Sequence, residues 1–118
     1  MAISEKRKME LINLSRNGEF DQYWADECAL VATNTRKIVD VIMPIVRNLQ
    51  KHMEREVWDE RAAVSSLVRI GEIAARGYAE EFYGYLKETH GKTKWYDLMD
   101  VPTRYACGQR IAYLLWEY

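Results

Sequence analysis

Between Phe20 and His90 apolar residues recur at helical spacing, and a single proline, Pro44, falls among them. Trp24, Cys28, Val31, Thr35, Ile38, Ile42, Ile45, Leu49 and Met53 follow one another at alternating steps of four and three. At about 3.6 residues per turn that spacing draws one continuous apolar stripe. The pattern predicts a long helix that opens at Phe20 or Asp21 and packs against two neighbours. Pro44 removes one backbone hydrogen bond and crowds the carbonyl of Asp40, so the helix must kink or restart there. The stripe keeps its register across the proline and Met43 is a poor cap, which favours a kink.

The same logic places three more elements. Ser4 can cap a helix running to about Arg16, with Met9, Leu11, Ile12 and Leu14 as its apolar positions, and Asn17-Gly18 ends it. Trp58-Asp59-Glu60 marks a boundary, with Asp59 able to cap a helix that continues to about Thr89. Val64, Leu67, Val68, Gly71, Ala74, Ala75, Tyr78, Phe82, Tyr85 and Leu86 form its expected apolar face. Gly71, Gly77 and Gly84 each cost ~1 kcal/mol of helix propensity, so another helix or backbone is expected to approach closely along this helix. Glu72, Arg76 and Glu80, at steps of four, suit a solvated ion-pair ladder. His90-Gly91 reads as a helix end, and 92–100 as a loop with one helical turn at Trp95–Met99. Asp100 can cap a last helix that carries Pro102 in its first turn and includes Tyr105, Gly108, Ile111, Ala112, Leu115 and Trp116.

The expected fold is therefore all-α, a single-domain bundle of about four helices spanning 1–118, with the long second helix kinked at Pro44. The length of 118 residues leaves no room for a second core. Trp24, Val31, Ile38, Ile42, Leu49, Leu67, Tyr78, Ile111 and Leu115 are the expected core.

Charge and cysteine content narrow the function. A net charge of −1 with a pI near 6.1 lacks the basic excess of a dedicated nucleic-acid-binding domain. It also permits self-association. The opening residues carry charges without an apolar run behind them, Ala2 is not a myristoylation glycine, and no apolar stretch approaches the ~20 residues of a membrane span. Cys28 and Cys107 lack CxxC spacing and read as two buried free thiols in a reducing compartment. The expected location is cytoplasmic, without membrane contact.

Arg47-Asn48-Leu49-Gln50-Lys51-His52 is the one fragment with the form of a catalytic signature. It is similar to the R-N-x-x-x-H motif of the HEPN ribonucleases, a small all-helical superfamily. The resemblance implies a metal-independent ribonuclease in which Arg47 and His52 meet RNA at a dimer cleft. Histidine can serve as acid or base near neutral pH, and arginine can stabilise phosphate charge. The resemblance covers six residues, and Met53-Glu54-Arg55 replaces the small and aromatic residues that often follow that family's histidine. Glu56 and Asp59 form an ExxD similar to that of the helical nucleotide pyrophosphatases, whose EExxE element is missing here.

Other polar groups carry less chemistry. Arg47, Lys51 and Arg55 at steps of four, with Arg36 and Lys37 upstream, form a basic ridge. Such a ridge is a solvated face balanced by Glu54, Glu56, Asp59 and Glu60, or an anchor for an acidic partner or for phosphates. His90 lies near no second histidine or cysteine at ligand spacing, and no carboxylates form an ExxH pair, so neither a metal nor a cofactor is expected.

The remaining signal is aromatic. Ten of the fourteen aromatics lie from Tyr78 onward. Tyrosine and tryptophan anchor protein interfaces because each joins a large apolar body to a polar tip. Tyr83, Lys87, Trp95, Tyr96, Trp116 and Tyr118 are the expected partner-binding surface, on residues off the main apolar face and in a loop. The favoured reading is a non-enzymatic protein that binds another protein as an inhibitor or adaptor. Compact inhibitors carried by phages and mobile elements share this profile, which makes a host defence complex the specific expectation. The HEPN-like ribonuclease is the enzyme alternative, and a nucleic-acid-binding accessory protein is a second; a homodimer stays open.

Overall fold

The computed structural model describes residues 22–82 and 101–118, with side chains described for 25–78 and 101–118. Among the described residues there are four helices and no strand: α1 (Gln22–Asn34), α2 (Arg36–Met53), α3 (Glu60–Phe82) and α4 (Val101–Leu115). The fold is an all-α bundle, as the periodicity predicts. The helix expected at Ser4–Arg16, the loop at 92–100 and the Asp100 cap lie outside the described residues, as do the expected end at Thr89, Gly84 and His90.

The long second helix is in fact two, and the break falls at Thr35 rather than Pro44. Three consecutive polar side chains cause it by turning back onto the last turn of α1. Thr33 Oγ1 and Asn34 Nδ2 donate to the Leu30 carbonyl at 3.0 and 2.7 Å, and Thr35 Oγ1 donates to the Val31 carbonyl at 3.0 Å. Such bonds offer the backbone an alternative to continuing the helix. Thr35 is extended, with φ −104° and ψ 105°. Its N–H closes α1 on the Ala32 carbonyl at 3.2 Å, and its carbonyl accepts from Val39 N–H at 2.9 Å to open α2. Pro44 lies inside α2 on the exposed face, where water can reach the Asp40 carbonyl that the proline leaves without its donor. The expected cap at Asp59 is present: its Oδ1 accepts from Arg61 N–H at 2.9 Å.

The closest packing is between α3 and α4. A Cβ at Gly71 would overlap the Arg104 carbonyl oxygen, and one at Gly108 would overlap that of Leu67. Residue 71 meets 104 while 67 meets 108, so the two helices run antiparallel. Beside this contact Arg104 reaches Glu72 at 3.2 Å, and Arg69 joins the same carboxylate at 3.5 Å. Glu72 thus pairs across to α4 as well as along its own helix. Gly77 makes a second close approach, with the Ile38 side chain of α2 lying over it.

Val31, Ile38, Ile42, Leu49, Tyr78, Ile111 and Leu115 are buried as expected. Leu67 is half-buried and packs against both core clusters, while the side chain of Trp24 lies outside the described residues. On α3 the expected face is kept at Gly71, Ala74, Ala75 and Tyr78, which are buried, and differs from expectation at its flanks. Val64 is exposed, Val68 is half-buried, and Ala63 and Ile70 are buried. The small residues Ala63, Gly71 and Ala75 point to the neighbouring helices, and that orientation carries Val64 outward. Cys28 and Cys107 are buried free thiols in the main core cluster.

The glycine contact gives a test of sign. Alanine is the better helix former by ~1 kcal/mol, so propensity alone makes Gly71→Ala and Gly108→Ala stabilising. Overlap with a backbone carbonyl, which cannot swing aside, should outweigh that gain. Each variant is expected to lose about 1–3 kcal/mol in urea unfolding. Gly77→Ala should lose less, because the atoms it meets end a side chain. Either of the first two being as stable as the wild type would show that the helices are not in backbone contact.

Candidate functional site

The three residues after α4 turn back along α2. Trp116 N–H donates to the Tyr113 carbonyl at 3.4 Å and Tyr118 N–H to the Leu115 carbonyl at 3.1 Å. From α2, Gln50 Nε2 donates to the Trp116 carbonyl at 2.6 Å, and Arg47 Nη2 reaches the Tyr118 carbonyl at 3.4 Å. The backbone is held while the aromatic side chains stay out: Trp116 is 37% and Tyr118 71% exposed. Next to Trp116 an open groove of about 330 Å³ lies between α2, α3 and α4. Leu49, Met53, Leu67, Ala112 and Tyr113 line it, with Gln109 at its polar edge. Met53 and Tyr113 are themselves exposed, at 41% and 75%. The volume is at the small end of the ~300–1,000 Å³ of ligand sites. An open apolar groove of that size suits a side chain offered by a partner.

Of the expected binding residues, Trp116 and Tyr118 therefore lie together at one end of the bundle. Tyr83, Lys87, Trp95 and Tyr96 lie outside the described residues. Sequence reasoning missed Met53 and Tyr113 as surface residues. Met53 fits the apolar stripe in spacing, but α2 ends there. Tyr113 sits off the inner face of α4, two positions from both Ile111 and Leu115, and that offset was the available signal.

Arg47 and His52 are not brought together within the chain. Five residues apart on a helix, they are separated by about 140° around its axis. Arg47 turns to Tyr118, while His52 turns to the start of α3. There the Asp59 N–H donates to His52 Nε2 at 3.0 Å, with the Asp59 carbonyl also 3.0 Å from that nitrogen. The same ring nitrogen thus meets both backbone groups of Asp59. His52 thereby pins the residue that caps α3. Asp59, the second member of the ExxD spacing, is engaged as cap and pin together.

Arg36, Lys37, Arg47, Lys51 and Arg55 of the expected basic ridge are exposed. Arg36, Arg47 and Lys51 lie within about 60° of one another around α2, with Lys37 farther round. Arg55 leaves the ridge because α2 ends at Met53; its N–H donates to the His52 carbonyl at 3.3 Å. Arg69 and Arg104 pair with Glu72. Among the described residues Arg36, Arg47 and Lys51 have no carboxylate at ion-pair distance, so Glu54, Glu56, Asp59 and Glu60 do not neutralise the ridge by contact. Among the described residues no group of three His, Cys, Asp or Glu side chains could hold a metal ion, and no helix is long and apolar enough to cross a membrane.

Cys28 is chemically restrained. A side-chain hydrogen bond with Cys107, complete burial, and the charges of Cys107 and Glu27 all push its thiol well above the ordinary range. The thiolate is the reactive form, so both the proton and the burial protect this sulfur.

No protein-family model matches the chain, and no curated protein or solved structure is significantly similar to it.

Two outcomes follow from the thiols. An aromatic disulfide reagent should label neither cysteine in the native protein and both after unfolding; rapid labelling of the native protein would contradict their burial. The folded state holds the Cys28 proton more tightly than the unfolded chain does. That contribution to stability is complete below the ordinary thiol value and is lost as pH rises beyond it toward the raised one. The urea midpoint should therefore fall in alkaline solution, and Cys28→Ala should flatten the fall.

Proposed function

We propose that the chain acts without catalysis, as a small helical module that binds another protein through the end of the bundle carrying Trp116, Tyr118 and the Met53–Tyr113 groove. The observation that carries this reading is aromatic surface exposed on a fixed backbone. Gln50 and Arg47 hold the Trp116–Tyr118 stretch while its side chains remain accessible. Fixing the backbone beforehand lowers the ordering cost of association. Trp and Tyr beside an apolar groove are the residue types that concentrate binding energy. A module of this kind works as an inhibitor or adaptor, and two free thiols suit a cytoplasmic setting. The narrower expectation of a host defence complex as target rests on analogy of class alone.

The ribonuclease alternative needs Arg47 and His52 at one phosphate. Their separate contacts in one chain leave it dependent on a second copy to complete the site. Two measurements separate the readings. Trp116→Ala should weaken the complex captured from the native host by about thirtyfold, the equivalent of ~2 kcal/mol for an anchor, with the helical spectrum retained. Purified wild-type protein should not cleave RNA above background. Robust cleavage that disappears in both Arg47→Ala and His52→Ala would replace this reading with the ribonuclease.

A further inference from the structure

We infer that Cys28 and Cys107 are a latent redox latch: a small-molecule disulfide such as oxidised glutathione converts them into one internal disulfide that bolts α1 to α4. The latch is independent of the binding role proposed above. One cysteine attacks the small disulfide as its thiolate, releasing the first small thiol and leaving a mixed disulfide on the protein. The other cysteine then attacks the protein sulfur of that intermediate, which closes the Cys28–Cys107 bond and releases the second small thiol. The two protons that leave the cysteines end on the two small thiols. The protein is thus oxidised by two electrons and the small disulfide is reduced by two.

The two sulfurs are neighbours across a helix interface. Both side chains are fully buried in one core cluster, Cys28 from α1 and Cys107 from α4, and they share a side-chain hydrogen bond. Cys107 precedes Gly108, so it lies about 100° around α4 from the seam with α3. That turn aims it at α1, whose Asp26 flanks a groove together with Ala106 and Arg110 of α4. A disulfide needs its sulfurs to close to about 2.0 Å with the Cα atoms roughly 4.4–6.8 Å apart, and thiols in hydrogen-bond contact are near that arrangement. The bond closes a loop of roughly 80 residues, which restrains the unfolded chain strongly.

Access comes from α1. Among its described side chains the buried ones are Ala25, Cys28, Ala29, Val31 and Ala32, none larger than valine, so lifting this helix exposes little apolar surface. The extended Thr35 joins it to α2 and supplies a hinge. By contrast α4 is held to α3 by backbone contact at Gly71 and Gly108 and by the Arg104–Glu72 pair. Opening of α1 therefore leaves the α3–α4 pair closed and uncovers Cys28 and Cys107 in one event. In the closed bundle the hydrogen bond with Cys107 and complete burial keep the proton on Cys28, so the pair is silent there. The latch answers to sustained oxidising conditions, not to brief contact with an oxidant.

The test uses the full chain, first reduced and then held in glutathione buffers of rising oxidised fraction, with and without urea below the unfolding midpoint. Acid quenching, alkylation and intact mass separate the products. The expected product is a monomer lighter than the reduced chain by two hydrogens, formed slowly in buffer and about tenfold faster in the low urea that opens α1. It should unfold at a higher urea concentration than the reduced chain, slow amide exchange in α1, and revert with dithiothreitol. Cys28→Ala and Cys107→Ala, each checked for folding by circular dichroism, should form no internal bond. Oxidation that stops at glutathione adducts, or that joins two chains, would overturn the inference. So would a cross-linked form that unfolds more readily than the reduced one, since the bond would then oppose the native packing. Cross-linking that proceeds only at the rate of global unfolding would overturn it as well, because α1 would not open alone.

Discussion

Two glycines facing two backbones set the geometry of this bundle. Gly71 lies under Arg104 and Gly108 lies under Leu67, four residues apart on each helix, so each contact fixes the other. With no Cβ at either point, α3 and α4 approach until main chain meets main chain, closer than side-chain packing alone allows. The approach brings Glu72 and Arg104 within reach of each other beside the contact. It also aligns Ala63 with Ala112 in a small cluster at the far end, where Leu49 joins from α2. The groove opens at that end because small residues continue the seam while the larger side chains of Met53, Tyr113 and Trp116 stand around it.

The helix α2 links this frame to the surface. Its inner face, Ile38, Val39, Ile42, Val46 and Leu49, is buried, and Ile38 packs over Gly77 of α3. Its outer face carries the cations. From that outer side Arg47, and from between the two faces Gln50, reach the Trp116–Tyr118 stretch. His52 performs a parallel task on the other side of the helix by accepting from Asp59, the cap of α3. One helix thus holds both neighbours by polar contacts near its C-terminal end, and residues that look chemical in sequence are used to fix backbones. A shift in α2 would move Arg47, Gln50 and the groove wall together.

What the sequence made legible follows from the range of each interaction. The stripe of α2, the Asp59 cap and the close approach at Gly71 depend on residues within a few turns or on the absence of a side chain, and all three were readable. The break at Thr35 depends on whether side chains bond backward onto Leu30 and Val31 or serve a continuing helix. Thr35 fits the apolar register, and Pro44 is the stronger breaker by rule, so the pattern pointed to the wrong residue. Val64 and Ile70 were exchanged for a tertiary reason: the glycine and alanine side of α3, not the bulk of its apolar residues, decides which way the helix faces. His52 could not be assigned from the chain alone, since its partner is set by how α2 and α3 meet.

The site was legible only in outline. The surplus of tyrosine and tryptophan toward the C-terminal part pointed to Trp116 and Tyr118, and both are exposed. The groove beside them was not readable, because its walls come from three helices and each wall residue belongs to its own helix's apolar pattern. Leu49 is core by any periodic criterion and is buried beside Ala112 of α4, yet it also floors the groove. The distinction between core and surface there is made by where helices stop, not by which residues they contain. Met53 at the last turn of α2 and Trp116 just past α4 are apolar residues whose helices run out beneath them. Apolar side chains at helix ends, held by polar contacts from a neighbouring helix, are thus the physical origin of the exposed surface on which the proposed binding role depends.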